Sequence, residues 1–116
     1  MRLVKRSAIT LKPKQPYFDW ANQLDDGPKI DAETDSEASI YLLEDGSDFE
    51  FYLEALLSPH YKEIFEEELE SWHRNKADWP VAGDLAMFLA WFDVEVHSMV
   101  FDLVGRALRT ERYDGS

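Results

Sequence analysis

Glu66, Glu70 and His73 stand at i, i+4 and i+7, a spacing that aligns side chains along one side of a helix. The chain has no cysteine, so histidine and carboxylate are the strong metal ligands it offers. Glu70-x-x-His73 has the spacing of helical di-iron carboxylate sites, which use that motif twice and add two further carboxylates from other helices. Here it occurs once. Glu66, Glu70 and His73 therefore read first as part of a solvated acidic face and only second as candidate ligands, and no metal or cofactor is expected. His97 invites proton-transfer chemistry, with Glu95, Asp93 or Asp102 as the carboxylate that would orient it. Glu95 and His97 lie two apart on an expected strand and share a face as neighbours, whereas Ser98 points to the other face. A dyad of Ser98 and His97 is poor geometry, and a hydrogen-bonded structural histidine is the simpler reading. Five scattered glycines form neither GxGxxG nor GxxxxGK, so no phosphate-cradling loop is present in the sequence.

A different chemistry, docking, is carried by the run HYKEIFEEELESWH at 60–73. Tyr61, Ile64, Phe65, Glu68, Leu69 and Trp72 recur at helical spacing and make one stripe, the clearest periodic signal in the chain. Lys62, Glu63, Glu66, Glu67 and Glu70 occupy the opposite side. The four carboxylates Glu63, Glu66, Glu67 and Glu70 form the candidate interaction surface. Trp20, in the first expected helix, and Trp79, in the loop NKADWP, are expected at a rim or exposed patch, where tryptophan is a frequent binding anchor, and join the candidate interaction surface. Most of the set Trp72, Trp79, Phe88, Trp91 and Phe92 is expected in the core.

Charge divides along the chain. Residues 1–16 carry five bases and no acid, residues 17–70 carry 17 acids against Lys29 and Lys62, and residues 71–116 carry seven acids against five bases, within a net charge of -12. Such a surface repels phosphates, which argues against nucleic acid as a partner and in favour of a basic protein. With 45% hydrophobic and 14% aromatic residues, the chain has enough apolar surface to offset the entropy of ordering. At 116 residues it reads as a single globular domain over 1–113 with a tail at 114–116. No run approaches a membrane span, the amino terminus lacks an apolar signal core, and absence of cysteine suits a reducing compartment, so the expected location is the cytoplasm.

The elements that must position these residues are read as follows. Residues 3–12 make a strand with Ile9 and Leu11 on its better apolar face. A short helix starts near Pro16, turns Phe18, Ala21 and Leu24 inward, and closes at Gly27-Pro28. Residues 28–37 read as a mobile loop and 38–43 as a second strand. Ser47 is the expected N-cap of a helix over 48–57. Ser58-Pro59 then begins a new helix or kinks a continuous one. Asp84 caps a helix over 84–92, and residues 94–103 read as a strand buried on both faces, hence central, with the first two strands at the edges. On that reading the Lys and Arg residues of the first strand would guard its edge. Residues 105–113 continue as strand or helix. The fold class is α+β in the order β-α-β-α-α-β: a small sheet of three or four strands with two or three helices packed mainly on one face.

The runs HYKEIFEEELESWH at 60–73 and WFDVEVHSMVFDL at 91–103 resemble a family of small, acidic, uncharacterised bacterial proteins. The likeness extends from the amino-terminal strand to Leu103. It implies a bacterial, cytoplasmic protein and brings no catalytic residues with it. Pro59 departs from the family's pattern, in which an unbroken helix is expected. The leading functional expectation is a non-catalytic interaction module with an acidic helical face, which leans away from an enzyme. A small hydrolase or isomerase using His97 and a nearby carboxylate is the second reading, and a homodimer with a mainly structural role the third.

Overall fold

The computed structural model describes residues 1–24, 29–31, 37–45, 53–81 and 83–113. In chain order the elements are β1 (Arg2–Leu3), β2 (Ser7–Pro13), α1 (Gln15–Gln23), β3 (Ser39–Leu43), α2 (Leu53–Leu57), α3 (Tyr61–Trp72), a 3-10 turn (Lys76–Asp78), α4 (Leu85–Trp91), β4 (Phe92–His97) and β5 (Phe101–Asp102). They form one small α+β domain with a three-stranded sheet in the order β3-β2-β4 and a separate pair, β1-β5. No helix among the described residues is long and apolar enough to cross a membrane.

The central strand is β2, which corrects the expectation that residues 94–103 run through the middle. Antiparallel pairing takes Ser7 to Leu43 and Leu11 to Ser39 on one side, and Ala8 to His97 and Pro13 to Phe92 on the other. The edge assignment of the first strand followed from reading 94–103 as doubly buried, and it falls with that reading. Within β2, Ser7, Ala8, Ile9 and Leu11 are all buried, and Lys12 alone brings charge, at the strand's far end. The segment over 94–103 divides instead. Its first part, β4, is an edge strand whose Asp93 and Glu95 are exposed. Beyond His97 the chain leaves the sheet and pairs with the amino terminus: Arg2 opposes Asp102 and Leu3 opposes Phe101, and Val4 N–H donates to Val100 O at 2.7 Å. The expected first strand is broken too. Arg6 N–H turns back onto Val4 O at 2.9 Å, and the amino-terminal strand carries one more residue than its partner across this point, the signature of a bulge.

Side-chain alternation puts Ile9, Leu11, Leu43, Phe92, Val94 and Val96 on the inner face, within or against the core. The helices supply the rest: Tyr17, Trp20 and Ala21 from α1, Leu57 from α2, Ile64, Phe65 and Leu69 from α3, and Phe88 from α4. Phe88 and Phe92 are fully buried, with ring centroids 5.2 Å apart, and Phe65 meets Phe92 edge-on at 5.3 Å, the offset geometry aromatic pairs prefer. Trp72, Trp79 and Trp91 pack half-buried around this centre.

Local signals explain most boundaries. Pro16 sits in the first turn of α1, where its missing N–H costs nothing. Asp84 accepts from Met87 N–H at 3.0 Å and caps α4 as expected. The chain breaks around Pro59 into two helices, α2 and α3. Ser58 is not the N-cap of α3: its hydroxyl donates to Glu54 O at 2.7 Å and closes α2, and His60 takes the capping position without a side-chain bond. The described start of the acidic loop is pinned to α1, with Asn22 Nδ2 donating to Ile30 O at 2.9 Å and Ile30 N–H to Asn22 Oδ1 at 2.8 Å. The Gly27-Pro28 closure, the Ser47 cap and the tail at 114–116 lie outside the described residues. Residues 105–113 form neither strand nor helix.

Candidate functional site

Helix α3 presents the carboxylates as a ridge between two clefts. On one flank, Tyr61, Phe65, Leu69, Trp79, Pro80 and Val81 line a small open apolar cleft of about 80 Å³, with Lys62 and Glu66 beside them. The loop after α3 builds its far wall. Trp79 Nε1 donates to His73 O at 2.8 Å, Asn75 Oδ1 caps the 3-10 turn through Ala77 N–H at 3.1 Å, and Trp20 Nε1 donates to Asp78 O at 2.9 Å. These bonds fix the loop to both α3 and α1. On the other flank, Tyr41, Leu42 and Leu43 of β3 face His60, Glu63, Ile64 and Glu67 across a second cleft, which Tyr113 also lines. His60 Nε2 meets Glu44 at 2.9 Å. Hydrogen bonding from its own backbone, then from His60, holds the Glu44 carboxylate below its ordinary pKa.

The expected interaction residues thus separate. Glu66 and Trp79 share the first cleft, Glu63 and Glu67 border the second, and Glu70 lies half-buried farther along α3. Trp20 is not at the rim. It is 8% exposed, because α1 turns it inward and its indole N–H is satisfied by the 73–80 loop. The two ion pairs among the described residues are His60 with Glu44 and His73 with Asp78, so the ridge carboxylates are not neutralised by a neighbouring lysine or arginine.

The metal candidates Glu66, Glu70 and His73 do not converge. His73 caps the end of α3 in extended backbone (φ -149°, ψ 116°), which takes it off the helical face, and its Nε2 pairs with Asp78 Oδ2 at 2.8 Å. No group of three or more metal-ligating side chains occurs among the described residues. His97 lies on the outer face of the sheet, where its Nε2 is 3.4 Å from Thr10 Oγ1. Glu95 sits opposite Thr10 and is exposed on that same open surface.

Sequence reasoning placed Glu68 in the apolar stripe and gave it no role, yet it is the most heavily committed acid among the described residues. Only 8% exposed, it accepts from Tyr41 Oη at 2.6 Å and Ser39 Oγ at 3.3 Å, both at Oε2. Its backbone carbonyl accepts from Tyr17 Oη at 2.7 Å and Ser71 Oγ at 2.8 Å. Burial pushes the Glu68 carboxyl up, opposed by the donors Tyr41 and Ser39. Burial raises both tyrosines as well, Tyr17 to about 12 and Tyr41 further still because it donates to the carboxylate. A perturbed carboxyl beside a cleft is a frequent mark of catalysis, but here both phenols are held protonated as donors to Glu68. The cluster works as a lock that ties α1 and β3 to α3. The signal for it was a charged residue recurring within an apolar helical stripe.

Comparison of the chain with protein-family models, curated proteins and solved structures returned no match.

Proposed function

We propose that this chain is a non-catalytic interaction module in which the α3 ridge and its flanking clefts seat a basic, apolar-containing segment of a protein partner. One observation carries the reading: Glu66 and Trp79, singled out by carboxylate spacing and by loop position, line one apolar cleft on a helix whose outward carboxylates form no ion pair with lysine or arginine among the described residues. An aromatic anchor site with a charged rim is the usual anatomy of a docking surface, and the charge supplies steering that salt screens. The His97 alternative draws less support, because an open sheet face provides no walls to exclude water or fix a substrate.

The test uses isotope-labelled protein and a synthetic peptide alternating arginine and leucine. Binding should perturb the amide resonances of Tyr61, Phe65 and Trp79, weaken about 10-fold or more as salt rises from low to physiological strength, and be lost in Glu66→Lys. Perturbations confined to the outer sheet face, or affinity indifferent to both salt and Glu66→Lys, would overturn the reading.

A further inference from the structure

We infer that the partner of the ridge is a second copy of this chain, and that two copies exchange their carboxy-terminal arms across the cleft between β3 and α3. The inference rests on the interaction reading above and names its occupant. Of the eleven large hydrophobic side chains exposed among the described residues, eight belong to the terminal ribbon and the segment after it. They include Leu3, Met99, Phe101, Leu103, Val104 and Leu108, from 44% to 79% exposed. A two-strand ribbon of this length is marginal in water on its own, and exposed apolar side chains concentrated on one segment suit a contact surface. Two of the three remaining exposed hydrophobics, Ile40 and Leu42, are on β3 beside the second cleft, and the third, Val81, lines the first.

Charge selects the same occupant. The ribbon and arm carry Arg2, Lys5, Arg6, Arg106, Arg109 and Arg112 against Asp102 and Glu111, whereas the clefts beside α3 carry Glu63, Glu66 and Glu67 against Lys62. The seat is visible within one chain. Residues 103–112 are exposed throughout, yet Tyr113 reaches the cleft lined by Tyr41, Leu42, His60 and Glu67. An arm whose residues 103–112 are exposed and whose Tyr113 lines that cleft can make the same contact in another copy, and reciprocal exchange closes a two-fold dimer. Gly105 stands in open space and can serve as the hinge. In the exchanged dimer the arm's leucines and valine gain a partner surface that the monomer does not give them.

The native chain lacks cysteine, which allows a direct test by pairing Tyr113→Cys with Glu67→Cys in the full-length protein under mild oxidation. Exchange predicts a disulfide-linked dimer on non-reducing gels, and a light-scattering mass for the native chain of twice 13.5 kDa that Leu103→Asp with Leu108→Asp returns to one chain. An intrachain disulfide, or a native mass of one chain at every concentration, overturns the exchange. If the native chain is monomeric and the arginine-leucine peptide still binds at Glu66, the exchange fails and the interaction reading stands. If the peptide also fails to bind, both fall.

Discussion

Tyr41→Phe isolates the lock around Glu68. The substitution keeps the ring, which packs against the core, and deletes only the hydroxyl that donates to Glu68 Oε2 at 2.6 Å. Ser39, at 3.3 Å, is then left as the remaining side-chain donor to that oxygen. A hydrogen bond to a charged group contributes roughly 1.5–3 kcal/mol and a neutral one about 1 kcal/mol, so the cost depends on whether Glu68 is ionised. Burial raises the Glu68 carboxyl above its ordinary value of 4.5. Its contribution to stability is therefore fully present below that value and is lost as pH rises through the raised folded value. Removing Tyr41's hydroxyl takes away a bond that favours the ionised form and raises the carboxyl further, which steepens that loss. Urea unfolding followed by tryptophan fluorescence should show Tyr41→Phe costing about 1 kcal/mol where Glu68 is protonated and about 2 kcal/mol where it is ionised. The latter is roughly 8 °C or more in Tm for a domain of this size. Glu68→Gln should flatten the pH slope in the parent chain. An equal cost on both sides of the titration, or less than about 0.5 kcal/mol at the higher pH, would refute the argument that the phenol stabilises a buried carboxylate.

Three further substitutions probe independent parts of the fold. Ser7 is fully buried and its Oγ has no hydrogen-bond partner among the described residues, so Ser7→Ala should leave stability unchanged or raise it by up to about 1 kcal/mol; a clear drop in the urea midpoint would show that the hydroxyl is satisfied. Asp84→Ala removes the cap on Met87 N–H and should cost about 1 kcal/mol, with Asp84→Asn retaining most of the stability. Phe88→Ala opens a cavity at the fully buried centre of the aromatic cluster and should cost about 3–5 kcal/mol by the same measurement.

The parts of the fold legible in the sequence were those encoded locally. The stripe from Tyr61 to Trp72 emerged as α3 with Ile64, Phe65 and Leu69 buried, and Asp84 capped its helix. The strand order was not local information. The apolar residues on both faces of 94–103 made that run look central and so put the first strand at an edge, but the burial of β2 depends on β3 and β4 arriving on either side, from residues 28 or more positions away along the chain. The apolar run after His97 was equally ambiguous, since a doubly buried strand and an exposed ribbon awaiting a partner share one composition. Trp20 misled for a related reason: its indole N–H found Asp78 O across a separation of 58 residues. Glu68 was legible only as an anomaly, because its phenol donors come from α1 and β3.

The separation of Glu68 from the other α3 acids bears on what the net charge means. Glu67 and Glu68 are adjacent in sequence, yet one borders an open cleft and the other is 8% exposed and held by side chains of its own fold. A helix turns about 100° per residue, so neighbouring carboxylates serve different ends according to the face they reach. Buried, the charge needs donors supplied by the chain itself, and Tyr41 and Ser39 supply them. Exposed and unpaired, it costs little in water and becomes useful when a cationic surface approaches. The same contrast sets His97 apart from the ridge. On the outer face of a three-stranded sheet, the half-buried His97 imidazole has Thr10 beside it and the exposed Glu95 on the same surface, and positioned charges stabilise a transition state less where water reaches them. Docking needs no such exclusion in the free protein, since the partner removes the water when it binds. The placement of the helices on one side of the sheet therefore argues for association along α3 over catalysis at His97.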